Sequence, residues 1–156
     1  MKILYGVQGT GNGHTTRARI MARALKEEGV EVDWVFSGRA PEDYFDMDTF
    51  GSYRCFRGLT FVTEHGRVNY PRTILSSHLR TLYRDIRSLD VSGYDLLIND
   101  FEPVTAWAAR RAGLPSIGIS HQCAFMHQIP KRGENLFVRA FMRQFAPVEH
   151  AIGLHW

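Results

Sequence analysis

Ile3-Leu4-Tyr5-Gly6-Val7-Gln8-Gly9-Thr10-Gly11-Asn12-Gly13-His14 opens the chain, and its reading decides how the rest is read. Ile3–Val7 has the continuous apolar pattern of a buried strand. The alternate glycines at 9, 11 and 13 permit a tight turn and let a ligand approach bare main chain. A helix-forming stretch, Thr15 to Glu28, follows at once and closes at Gly29. Its N-terminus offers unpaired N–H groups and about +0.5 of partial charge, a site for an anion or polar ligand. His14 stands at that mouth and carries the side chain that titrates near neutrality.

Outward from this unit, strand and helix alternate. In the first helix Ala18, Ile20, Met21, Ala24 and Leu25 form one apolar face at spacings of three and four. Val30–Phe36 is the second strand, ended by Ser37-Gly38-Arg39, and Asp43–Phe50 predicts a short helix. Tyr53–Phe56 and Leu59–Thr63 are short strands around Arg57-Gly58, with a hairpin turn at Glu64-His65-Gly66-Arg67. Pro71 opens a long helix through Leu89, on which Leu75, Leu79, Leu82, Ile86 and Leu89 share a side. Leu96-Leu97-Ile98 suits a central parallel strand, and Pro103 suits the first turn of a helix ending at Gly113. Ser116–Ser120 is a strand, Glu134–Phe145 an amphipathic helix stopped by Pro147, and Ala151–Leu154 a last strand.

This βαβα order predicts an α/β fold: a doubly wound, mostly parallel, Rossmann-like sheet with helices on both faces, one domain over residues 1–156. Such sheets bind ligands beyond the carboxyl ends of their strands. The loops of interest are therefore Gln8–His14, Ser37–Pro41, Asn99–Pro103 and Ser120–His127.

A chain of 156 residues with 44% apolar content can bury a real core. No apolar run approaches the roughly 18 residues of a membrane span. Met1-Lys2 leads directly into a strand, so no secretory leader is expected. Cys55 and Cys123 read as reduced thiols of a cytosolic protein. The net charge of +3 is unevenly placed, in Arg72, Arg80, Arg84 and Arg87 and again in Lys131, Arg132, Arg139 and Arg143. These are solvated helix faces, or contacts to an anionic membrane surface, a phosphorylated ligand or nucleic acid.

The glycine turn is a poor dinucleotide fingerprint, because G-x-G-x-x-G begun at Gly9 needs glycine where His14 stands. The second strand ends without a ribose-binding acid, although Ser37 and Arg39 leave an NADP 2′-phosphate as an alternative. A phosphate-binding G-x-x-x-x-G-K-[ST] is absent. A turn that only packs helix on strand leaves His14 unexplained.

Asn99-Asp100-Phe101-Glu102-Pro103 puts carboxylates at the same sheet edge as His14. One of them can accept Nδ1–H of the imidazole and fix its tautomer, leaving Nε2 to take a proton from a substrate hydroxyl. Asp100 can equally cap the helix that begins at Pro103, and Glu102 can cap it or hydrogen-bond a substrate. His121-Gln122, just past a strand, offers polar ligand contacts or a satisfied structural histidine. With Cys123 and His127 it matches no zinc spacing, so no metal is expected. Ser120 lacks the G-x-S-x-G elbow of a hydrolase. His65, His78, His150 and His155 read as structural or surface, Phe137, Phe141 and Phe145 as packing residues, and Tyr70, beside Asn69 and Arg72, as a ligand contact.

Gly9-Thr10-Gly11-Asn12-Gly13-His14 followed by Thr16-Arg17-Ala18-Arg19 resembles the opening of GT-B-fold glycosyltransferases. In appearance the bacterial MurG-like enzymes are nearest, with related proteins of teichoic-acid or other cell-envelope biosynthesis. Asn99–Pro103 and His121-Gln122 also fall where that group carries strand-end residues. The resemblance spans Met1 to Trp156. It implies the acceptor-side half of a two-domain fold whose nucleotide-sugar-binding C-terminal domain is absent from this chain, so that little or no transfer is expected of the chain alone. It implies inverting, hexosyltransferase-type transfer from a nucleotide-sugar co-substrate to a hydroxyl on a cell-envelope glycan or lipid-linked sugar, with no cofactor and no catalytic metal. By position His14 and Asp100 would be catalytic. Gly9, Thr10, Gly11, Asn12, Gly13, Glu102, His121 and Gln122 would contact substrate. The expected partners are the donor, the acceptor and an anionic membrane surface, not nucleic acid, in the cytoplasm at the inner face of the membrane. The alternatives are an NADP-binding oxidoreductase domain and a non-catalytic polar-ligand-binding Rossmann-like module.

Overall fold

The opening apolar run forms strand β1 (Lys2–Gln8), and its side chains alternate between two buried faces. The computed structural model describes residues 1–59, 63–64, 67–68, 78–127 and 136–154. β1 is followed by α1 (Asn12–Glu27), β2 (Glu31–Ser37), two 3₁₀ turns (Pro41–Asp43 and Asp48–Phe50) and β3 (Tyr53–Phe56). Then come β4 (Thr63–Glu64), β5 (Arg67–Val68), α2 (Leu79–Ser88), β6 (Leu96–Asp100) and α3 (Pro103–Ala112). β7 (Ser116–Ser120), a 3₁₀ turn (Gln122–Met126), α4 (Leu136–Phe145) and β8 (His150–Gly153) complete the described elements.

Six strands form one sheet in the order β3-β2-β1-β6-β7-β8, and every neighbouring pair is parallel. This is the doubly wound α/β fold expected from the alternation. Ile3, Tyr5, Val7, Trp34, Phe36 and Ile98 face α1 and the turn at Phe50. Leu4, Val35 and Leu97 face the other way, against Val104, Ala108 and Ala109 of α3 and the end of α2. Phe101, Ala106 and Phe145 form a third cluster joining α3 to α4.

Several boundaries differ from the sequence reading. α1 begins at Asn12 rather than Thr15, with Gly11 as an extended N-cap that makes no side-chain bond. Asn12, Gly13 and His14 are therefore its first turn. At its other end Gly29 takes φ 67, and Gly29 N–H and Val30 N–H close on the carbonyls of Lys26 and Leu25, a Schellman ending. Its buried stripe is Thr15, Ala18 and Ala22 with Met21 and Leu25 beside it, while Ile20 is 64% exposed. Asp43–Phe50 is two 3₁₀ turns rather than one helix, because Asp46 between them adopts the left-handed φ 51. α2 begins at Leu79, after non-helical His78; residues 71–77, with Leu75, lie outside the described residues. Leu59 is not in a strand, but β4 and β5 pair antiparallel, as the hairpin requires. Among the described residues no helix is long and apolar enough to cross a membrane.

α3 starts and stops as expected, with Pro103 in its first turn and Gly113 at φ 69 after its end. Its cap is Glu102, which is fully buried. One carboxylate oxygen accepts from Val104 N–H at 2.8 Å and from the Ser37 hydroxyl at 2.6 Å. The other accepts from Thr105 N–H and the Thr105 hydroxyl, both at 2.6 Å. Burial pushes the Glu102 pKa up against the pull of those donors. Glu102→Gln turns an NH₂ donor onto this donor set. It should cost about 1–3 kcal/mol, read as a lower urea midpoint at unchanged slope.

Candidate functional site

β1 hands the chain on to β2 on one side, while β6 hands it on to β7 on the other. The crevice between the two outgoing connections is the switch point where doubly wound sheets bind ligands. Val7 pairs with Asp100 across this junction, so the glycine turn and the end of β6 are neighbours by register. Phe101 then takes φ 57, a left-handed conformation that costs a non-glycine residue strain. The chain turns sharply there, and the carboxylates on either side of it serve different purposes. Glu102 takes the helix-cap alternative: its buried carboxylate accepts from Val104, Thr105 and Ser37.

Asp100 also has no exposed surface, and His14 and Arg17 close over it with 14% and 17% of their side chains exposed. His14 Nδ1 lies 2.7 Å from Asp100 Oδ1. Arg17 donates from Nε to Oδ2 and from Nη2 to Oδ1, each at 2.7 Å. A carboxylate can only accept, so His14 carries its proton on Nδ1 and leaves Nε2 bare. The Gln122 amide nitrogen stands 3.5 Å from Nε2. Burial alone would lower the Arg17 pKa, but the hydrogen bonds and charge of Asp100 outweigh it and raise it. The Tyr5 phenol and the Cys123 thiol near Asp100 are both pushed up by burial.

The turn that carries His14 is anchored on its buried side and open on the other. Gly9 N–H donates to the Ser37 carbonyl at 2.6 Å, and a side chain at Gly9 would run into the Tyr44 hydroxyl. Thr10 Oγ1 accepts from the Gln8 amide at 3.1 Å. Among the described residues, a Cβ at Gly13 would meet nothing within 4 Å, and one at Gly11 would meet only the His14 ring edge at 3.9 Å. Asn12 is exposed, and its side-chain oxygen accepts from Arg39 at 3.2 Å. The α1 N-terminus therefore presents a bare backbone surface beside Nε2, open to an anion or a polar ligand.

Of the other expected contacts, Gln122 reaches the site and His121 turns its Nδ1 to the Leu154 carbonyl at 2.9 Å. Cys123 lies against Ser120, and His127 Nε2 sits 2.8 Å from the Ala151 carbonyl. The Ser37 hydroxyl is buried on Glu102, so the end of β2 cannot present it to a 2′-phosphate. That removes one of the two residues on which the NADP alternative rested; the other, Arg39, donates to Asn12. His65, Asn69, Tyr70, Arg72, Lys131, Arg132 and His155 lie outside the described residues, as do the side chains of Phe137 and Arg139. Arg17 is a site residue that the sequence pattern does not mark. Its spacing of three from His14 placed it on the same helical face, but nothing in that spacing pointed to Asp100.

A separate apolar groove of about 960 Å³ lies between α2, α3 and α4, walled by Leu82, Ile86, Trp107 and Phe145, with Arg87, Arg110 and Arg111 in its lining.

A model of the family described as Glycosyl transferase family 1 matches residues 1–152, and the chain belongs to that family. Among curated proteins no match is found. Similar solved structures include MurG of Acinetobacter baumannii, at 16% identity and TM-score 0.49, covering 94% of this chain and 39% of that one. The calicheamicin glycosyltransferase CalG4 is 15% identical at TM-score 0.49, covering 90% and 36%. The glycosyltransferase SsfS6 of Streptomyces sp. SF2575 is 16% identical at TM-score 0.45, covering 80% and 40%. The chain thus spans less than half the length of these proteins.

Asp100→Ala would leave Arg17, only 17% exposed, without its counter-charge. The expected loss is about 3–5 kcal/mol in urea denaturation, and Arg17→Met combined with Asp100→Leu should recover most of it.

Proposed function

We propose that this member of glycosyl transferase family 1 is the acceptor-side half of an inverting, nucleotide-sugar-dependent hexosyltransferase, with His14 as its general base. The observation that carries the reading is the 2.7 Å contact between His14 Nδ1 and buried Asp100 at the switch point, which leaves Nε2 without a proton and able to accept one. The acceptor hydroxyl oxygen attacks the anomeric carbon while its proton passes to Nε2. The bond from that carbon to the nucleoside diphosphate breaks, and its electron pair leaves on the phosphate oxygen. One such displacement inverts the anomeric configuration. The uncapped N–H groups of Asn12, Gly13 and His14 are suited to the charge that develops on the departing diphosphate.

The rest of the donor site is assigned to a second domain outside this chain, so the chain alone transfers little sugar. The acceptor is a hydroxyl of a cell-envelope glycan or a lipid-linked sugar. The groove lined by Leu82, Ile86, Trp107 and three arginines supports this reading, since apolar walls with guanidinium groups suit an amphiphile with an anionic head. The exposed Arg80, Arg84 and Arg87 of α2 add positive charge beside it. Each basic group near an anionic leaflet contributes about 1 kcal/mol, enough for peripheral attachment at the cytoplasmic face of a membrane.

His14→Ala in the enzyme that carries this domain should slow nucleoside diphosphate release by about 10²–10⁴-fold across a panel of nucleotide sugars and lipid acceptors. A loss under tenfold with the fold intact would remove His14 as the base, and product of retained configuration would remove the single displacement. Reversing charge at Arg87, Arg110 and Arg111 should weaken sedimentation with phosphatidylglycerol vesicles and leave neutral vesicles unaffected. Binding that ignores anionic lipid content sinks the membrane assignment.

A further inference from the structure

We propose that Arg17 is a positioning residue that holds His14 as a neutral base, by clamping Asp100 and by standing as a permanent positive charge beside the imidazole. The proposal rests on the reading of His14 as the base. It begins with α1, where residues 14 and 17 lie one turn apart on the same face. Both reach the same carboxylate, and that carboxylate is fully buried.

The Arg17 fork grips both oxygens of Asp100, Nε on Oδ2 and Nη2 on Oδ1, each at 2.7 Å. A bidentate grip fixes the plane of the carboxylate and so fixes where Oδ1 meets Nδ1 of His14. Nη2 lies only 3.1 Å from Nδ1. A guanidinium nitrogen can only donate, so with Nδ1 protonated the two nitrogens are rival donors converging on Oδ1. The closeness of Nη2 to the ring is therefore a repulsion that grows once the ring becomes cationic.

A histidine with an aspartate alone gains stability as imidazolium. Here Asp100 is already neutralised by Arg17 before His14 takes a proton, and protonation makes the cluster net positive. A proton added to the ring therefore meets the Arg17 charge as well as that of Asp100. Among the described residues, the remaining groups around the cluster do not offset this. Tyr5 and Cys123, from β1 and the 3₁₀ turn after β7, are held un-ionised by burial, and the Gln122 amide near Nε2 carries no charge.

The test is a pH titration of the His14 ring nitrogens in the purified chain, followed by long-range ¹H–¹⁵N NMR. Wild type should show one neutral tautomer, with the proton on Nδ1. Arg17→Gln should raise the His14 midpoint by about 1 pH unit or more and mix the tautomers, and Arg17→Lys should bring the midpoint back. Asp100→Asn leaves the guanidinium unopposed and should drop the midpoint below the ordinary histidine value of about 6.5. An unchanged or lower midpoint in Arg17→Gln, a lysine variant that behaves like the glutamine one, or an Asp100→Asn midpoint at or above about 6.5 overturns the proposal. The arginine and aspartate variants are independent, so misfolding of one leaves the other decisive. No sugar enters the measurement: these shifts survive if His14 proves not to be the base, whereas their absence removes Arg17 and leaves that assignment standing.

Discussion

A buried negative charge organises this molecule. Asp100 sits at the last position of a central strand with no exposed surface, where an unpaired carboxylate would be costly. The structure meets that cost from a single neighbouring element, the first turn and a half of α1, which supplies His14 and Arg17. The glycine turn, the early start of the helix and the parallel register of β1 with β6 all serve to deliver that element. Compensating the charge and orienting the imidazole are thus one physical arrangement. The imidazole is held in a defined tautomer because the aspartate needs donors.

Glu102, two residues away, shows how a similar carboxylate becomes purely architectural. It is as buried as Asp100, but its donors come from the helix it caps and from Ser37 at the end of β2. It ties three segments together at the edge where the cleft lies, and the left-handed Phe101 separates it from Asp100. Phe101 in turn stacks on Phe145 at 4.6 Å, so packing between α3 and α4 bears on the turn that divides the two acids. Strain at that position is borne by a small apolar cluster, in keeping with the usual placement of such residues at functional edges.

Much of this was legible in the sequence. The strand runs ending at Gln8, Ser37, Asp100 and Ser120 marked the loops that assemble the site, because apolar runs in a parallel sheet are read directly from composition. Pro103 and Gly113 bounded α3 correctly, since the chemistry of helix ends is local. The start of α1 was misplaced because Gly11 and Gly13 have poor helix propensity, and tertiary packing overrode it. Ile20 entered the predicted core face on hydrophobicity alone and emerged exposed, since the helix settled on Ala18, Ala22 and Leu25. The small alanines let α1 approach the sheet, a choice made by packing and not by period.

By itself the amino-acid sequence determined the alternation of strands and helices, the sheet edge at which a ligand is expected, and His14 with a carboxylate of Asn99–Pro103 as the groups to examine. These follow from periodicity, turn chemistry and the few side chains able to transfer a proton. Only the tertiary structure decided which acid serves the histidine and which caps a helix, because both stand within two residues of the same strand end. It alone brought Arg17 onto Asp100 and buried Ser37 against Glu102. Those outcomes depend on which chain segments meet across the sheet, and contact between residues 65 to 86 positions apart leaves no mark on spacing or propensity.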